Sequence, residues 1–181
     1  MRFVPLVALL FAQTLGRQRR VIFGVPLARG ELPYLTSIVA RFPHHNAGEG
    51  TLCGGSLIAS NIVLTAAHCL LNEETNTRAT SLNVTINDFV LDQPDKGEIA
   101  VPASHFDIHP QYYEAFESAY DIGIIFLAKS VPICEGENPI KKKPFQIARL
   151  PFNVTTGWPL MSDSGLESSA CYHSGWGVTK S

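Results

Sequence analysis

Residues 53–69 read CGGSLIASNIVLTAAHC. Gly54 and Gly55 permit a tight turn and a close backbone approach. Ser56-Leu57-Ile58 and Ile62-Val63-Leu64-Thr65 are short aliphatic and β-branched runs, the composition of strands. His68 stands directly beside Cys69. A bond between Cys53 and Cys69 would close a small loop and pin the segment that ends in His68, stabilising it by roughly 3 kcal/mol in the chain-entropy model. An imidazole held that firmly suits general-base work, although a single histidine in an apolar segment is, on that segment alone, more often structural.

The strand signal continues on both sides. Residues 34–40, 82–86, 99–101 and 122–127 are short runs rich in Val, Ile, Leu and Thr, punctuated by Gly, Pro, Asn and Asp. No long stretch carries the 3.6-residue period of an amphipathic helix. Short strands at this spacing predict an all-β chain, an antiparallel barrel or sandwich. Residues 131–150 hold prolines and Lys141-Lys142-Lys143 and read as an exposed, solvated connector.

Hydrophobic residues make up 45% of the 181, enough for a core. The net charge is −2, so no basic field points to nucleic acid. Residues 1–20 hold Arg2, Arg17, Arg19 and Arg20 and no acid, so the rest carries 10 basic against 16 acidic residues, or −6. The start reads as a signal peptide over residues 1–16. Arg2 gives a short positive region, residues 3–11 an apolar run too short to span a bilayer, and Thr14 and Gly16 the small residues of a cleavage site. Residues 17–20 form an exposed basic propeptide. A processing protease cutting after Arg20 would leave a new N-terminus at Val21-Ile22-Phe23-Gly24. Export implies a secreted, extracellular protein without a membrane anchor and an oxidising route in which cysteines pair. Two Asn-x-Thr tripeptides, beginning at Asn83 and Asn153, agree with that route as glycosylation acceptors.

Thr65-Ala66-Ala67-His68-Cys69 resembles the catalytic-histidine motif of the trypsin-like (chymotrypsin-like) serine proteases, and Cys53-Gly54-Gly55-Ser56-Leu57-Ile58 resembles the strand before it. Other segments are similar to that family in the same order. Val21-Ile22-Phe23-Gly24 looks like its mature N-terminus, with Phe23 a departure, and Gly30-Glu31-Leu32-Pro33-Tyr34 follows. His109-Pro110-x-Tyr112 resembles the loop leading to the catalytic aspartate, and Asp121-Ile122-Gly123-Ile124-Ile125-Phe126-Leu127 the strand that the aspartate heads. Ser174-Gly175-Trp176-Gly177 is similar to the strand opening the second barrel. The resemblance covers residues 21–181. It implies a double β-barrel whose first barrel spans about residues 30–130 and is nearly complete. Residues 131–168 would cross to a second barrel represented by little more than a strand around residues 171–178. It also implies a Cys53–Cys69 disulfide, a protein or peptide substrate, His68 as general base and Asp121 as the carboxylate orienting it. An ionised carboxylate at the head of a buried strand needs such a partner. No cofactor is called for.

The resemblance places the nucleophile in a Gly-Asp-Ser-Gly-Gly segment after the Gly-Trp-Gly strand, together with the oxyanion donors and the specificity pocket. No such segment occurs within residues 1–181. Ser162-Asp163-Ser164-Gly165-Leu166 departs at both flanks and precedes Cys171, so Ser164 reads as a surface-loop residue. Cys134 and Cys171 resemble cysteines whose partners lie elsewhere in the family, and a bond between them stays open. Residues 21–181 are therefore expected to be a protease domain that is incomplete at its C-terminal side, inactive as it stands. The alternative is a secreted, non-catalytic homologue that binds a partner. Asp88, Asp92, Asp95 and Glu98 fall where some relatives bind calcium, but their spacing reads as a solvated acidic loop, and no metal is expected.

Overall fold

Residues 81–86, SLNVTI, alternate polar and apolar, and a strand with that period buries one face. Leu82, Val84 and Ile86 point into a core and Asn83 points out. Seven further strands complete an all-β arrangement. The computed structural model describes residues 25–43, 46, 49–91, 93–94, 97–113, 120–133, 145–150 and 172–176. The expectations for residues 1–20, Val21, Asp92, Asp95, Cys134, Lys141 to Lys143, Asn153, Ser164, Cys171 and Gly177 lie outside the described residues.

The strands are β1 Leu35–Arg41, β2 Thr51–Ala59, β3 Ile62–Thr65, β4 Leu71–Asn72, β5 Thr77–Arg78, β6 Ser81–Ile86, β7 Ile99–Ile108 and β8 Gly123–Leu127. Six of them close into an antiparallel barrel in the order β1-β2-β3-β8-β7-β6, with β6 pairing back to β1. Closure removes free sheet edges from most of the circuit. β4 and β5 form a separate two-stranded hairpin. This is the chymotrypsin-like barrel, the first of that fold. Its interior is filled by Ile38, Leu57, Val63, Val84, Ile86 and Ile125, all fully buried. Each such side chain contributes roughly 1.5–3 kcal/mol.

Four details differ from the sequence reading. Gly54 and Gly55 form no turn; both lie inside β2 and pair with Ser37 and Thr36 of β1. A Cβ on Gly55 would come within 2.7 Å of Val63, 2.8 Å of Ile38 and 2.9 Å of Thr36, so that glycine lets three strands meet inside the barrel. Second, β7 runs well past residue 101. Residues 99–102 pair with β6, and residues 103–108 pair with β8. Pro102, which has no N–H to donate, stands where the strand changes partner, and a bulge between Ala103 and His105 follows. The extra residue flips the strand's faces. Val101 faces inward before it, and Phe106 and Ile108 are the more covered positions after it.

Third, the connector is not wholly exposed. Val131 and Phe145 are buried in the main core, and Ala148 N–H donates to Leu57 O at 2.7 Å. Phe145 is the largest fully buried side chain among the described residues. Fourth, residues 172–176 form no strand. Trp176 Nε1–H instead donates to Phe89 O at 3.4 Å, and Tyr172 to Ser174 border an open groove against Leu35 and Gly54 to Ser56 of the barrel.

Candidate active site

β3 ends at Thr65, whose hydroxyl donates to Gly54 O at 2.9 Å and fixes the strand end against β2. Ala66 is extended, and residues Ala67–Cys69 close a short 3-10 turn. Ala67, Cys69 and Leu70 are buried, which turns the intervening side chain, His68, outward. Cys69 is bonded to Cys53 on β2, with Cα atoms 6.1 Å apart and a sequence separation of 16. The turn is thus tied to the barrel covalently on one side and by buried apolar contacts on the other.

Asp121 approaches from the opposite segment, two residues before β8. Its Oδ2 lies 2.7 Å from His68 Nδ1, and its Oδ1 accepts the backbone N–H of His68 at 2.9 Å. One carboxylate therefore grips both the ring and the main chain of a single residue. An ionised carboxylate only accepts, so Nδ1 carries the donated proton and Nε2 is left as the basic nitrogen. The His68 side chain is 56% exposed and Asp121 27%. Partial burial pushes the Asp121 carboxyl upward, but the hydrogen bonds from the His68 N–H and ring, the charge of His68 when protonated and the Ala67 N–H outweigh it. The result lies below the ordinary carboxylate range.

Two features of this approach were not read from the sequence. Gly123 opens β8 directly beneath the histidine turn. A Cβ there would stand 2.4 Å from Leu70 Cδ1 and 3.3 Å from Ala66 O, so a glycine lets the two segments close on each other. The bare chain offered the glycine but not its neighbour. Beneath the same turn Tyr112 packs against Ala67 and Leu71 and donates its hydroxyl to Glu73. Burial, then that acceptor, then the charges of Glu73 and Asp121 push the Tyr112 phenol upward. The loop carrying His68 and the loop leading to Asp121 are thereby stapled together from below.

The remaining site expectations fall into place as follows. Asn83 is exposed on β6. Asp88 accepts the Ser37 hydroxyl at 2.6 Å, so it serves the barrel wall. Cys53, His68 and Cys69 place their donor atoms within 4.8 Å of one another, but the two sulfurs are joined and are not thiolate ligands. No described helix is long and apolar enough to cross a membrane.

A closed antiparallel barrel with an imidazole at its rim, gripped by a carboxylate from the facing segment, is the framework of the chymotrypsin-like fold. The Trypsin family model matches residues 21–181, and the chain belongs to that family. It is 30% identical over 148 residues to Ovochymase-2 of Mus musculus, covering 81% of this chain and 23% of that protein. It is 37% identical over 123 residues to Venom serine protease Bi-VSP of Bombus ignitus, covering 67% and 32% respectively. It is 30% identical over 160 residues to Chymotrypsin of Phaedon cochleariae, covering 88% and 49%. The chain thus spans half or less of the length of these curated relatives.

Proposed function

We propose that residues 21–181 belong to a secreted serine endopeptidase domain in which His68 is the general base and Asp121 the carboxylate that orients it. The observation that carries this reading is the double grip of Asp121 on His68 within a trypsin-family barrel. Nε2 would take the proton of an attacking serine hydroxyl, and Asp121 would stabilise the imidazolium formed. A protein or peptide is the substrate class. Residues 1–16 act as a signal peptide, cleavage between Arg20 and Val21 by a processing protease activates a zymogen, and Asn83 and Asn153 carry glycans. The exposure of Asn83 supports the first of those glycan sites.

The polypeptide of residues 1–181 does not itself hydrolyse peptide bonds by this route. None of its serines lies in the family's full Gly-Asp-Ser-Gly-Gly string, and the oxyanion donors belong to that same segment; losing one such donor alone typically costs about 10²–10³ in turnover. Purified 1–181 protein, cut after Arg20, is treated with a fluorophosphonate probe and assayed on a peptide library. The expected result is no labelling and no cleavage. Stoichiometric labelling at Ser164 that disappears in His68→Ala would overturn this part of the reading and place the nucleophile there.

A further inference from the structure

Among the described residues three that are not glycine have left-handed backbone: Asn76, Asn87 and Tyr120, at φ 50°, 62° and 59°. Asparagine tolerates that conformation because its short side chain bonds locally. A tyrosine does not, and such strain persists only where the surroundings over-determine it. Tyr120 immediately precedes Asp121. Ile122 N–H donates back to Tyr120 O at 2.6 Å, so the chain folds tightly around the aspartate. His109 N–H then donates to Ile122 O at 3.0 Å, fastening the far side of the same turn to the segment after β7.

His109 is held at three polar positions, its N–H among them. Its carbonyl accepts Tyr112 N–H at 2.9 Å, and its Nδ1 accepts Gln111 N–H at 3.2 Å. Its ring lies flat on the Tyr120 ring, with centroids 4.9 Å apart and planes 8° from parallel. Returning Tyr120 to ordinary backbone angles would swing its ring off His109 and re-aim the residue that follows. The stack therefore opposes relaxation of the strained backbone. We infer that His109 and Tyr120 are positioning residues that hold Asp121 at the apex of its turn, opposite His68. The inference rests on reading His68 and Asp121 as base and orienting acid. It gives the His109-Pro110-x-Tyr112 stretch a task beyond connecting β7 to Asp121.

The test reads the His68–Asp121 hydrogen bond itself rather than turnover, using the 1–181 chain. The proton between His68 Nδ1 and Asp121 is followed by low-field proton NMR, and Asp121 by carbon NMR of its carboxyl across acid pH. Tyr120→Ala removes the ring and leaves a residue that disfavours the left-handed backbone; Tyr120→Phe keeps the ring; Tyr120→Asn removes the ring but suits that backbone. Tyr120→Ala is expected to broaden the shared proton beyond detection and to move the Asp121 titration up toward the ordinary carboxylate range. Tyr120→Phe and Tyr120→Asn are expected to leave both unchanged, and His109→Ala to behave like Tyr120→Ala. A wild-type proton signal and carboxyl titration in Tyr120→Ala overturns the positioning role, as does equal loss in Tyr120→Ala and Tyr120→Phe. Should His109→Ala not fold, the Tyr120 variants decide between these outcomes; should Tyr120→Ala not fold, His109→Ala decides in its place. A low-field proton that survives Asp121→Asn overturns the base–acid couple itself, a different failure from loss of the positioning role alone.

Discussion

Two adjacent glycines in β2 should respond to the same substitution with opposite sign. At Gly54 an added Cβ meets nothing within 4 Å and the backbone is not left-handed, so alanine costs nothing in the folded state. It also restricts the unfolded chain, and Gly54→Ala is expected to stabilise by about 0.4–1 kcal/mol. At Gly55 the Cβ would fall inside 3.0 Å of Val63, Ile38 and Thr36 together. All three are fully buried, and Val63 and Thr36 are branched at Cβ and cannot swing away. Overpacking of this kind costs roughly 1–3 kcal/mol, and the unfolded-state gain offsets less than about 1 kcal/mol of it. Gly55→Ala is therefore expected to lose about 1–2 kcal/mol net. For a chain of this size that is about 2–8 °C in Tm, against a rise of up to about 4 °C for Gly54→Ala. Urea unfolding of the two variants beside the wild type, followed by tryptophan fluorescence and circular dichroism, measures both. Gly55→Ala as stable as wild type, or the two variants shifting in the same direction, would refute the claim that the barrel interior is closed at that position.

Replacing Cys53 and Cys69 together by serine should lower stability by roughly 3 kcal/mol, read from the shift in the urea midpoint, with dithiothreitol producing a similar shift in the wild type. Asp121 has its carboxyl lowered on folding, so the stability it supplies is present above the unfolded value of about 3.9 and is lost as pH falls through the lower folded value. Asp121→Asn should flatten that part of the acid-unfolding curve. The Thr36 hydroxyl is buried with no hydrogen-bond partner among the described residues. Thr36→Val keeps its shape and should stabilise by about 1 kcal/mol, measured as a rise in Tm.

The candidate site was legible because its residues sit inside local strings. His68 follows a strand and touches Cys69 in sequence, and Asp121 heads an apolar run, so each could be located without knowing what faced it. The geometry between them could not be read in this way, since 53 positions separate the two residues. The same limit explains the misreadings. A run of residues shows a strand by its period, and the bulge after Ala103 reverses that period in the middle of β7. Phe145 looked like part of a charged connector because three lysines stand just before it, while its burial depends on the barrel end that receives it.

What the sequence by itself determined is the class of structure and the positions of the candidate site's two side chains. Short β-branched runs bounded by turn residues favour strands over helices, and a histidine beside a cysteine that bonds Cys53 marks a pinned turn. Only the tertiary structure decided how those side chains meet. Closure of β8 against β3 brings Asp121 under His68, and Gly123 leaves room for the approach. The His109 ring comes to lie on Tyr120 because the end of β7 pairs with the start of β8. Those contacts join residues far apart along the chain, so local composition carries no trace of them; they exist once hydrophobic closure of the barrel has fixed the register.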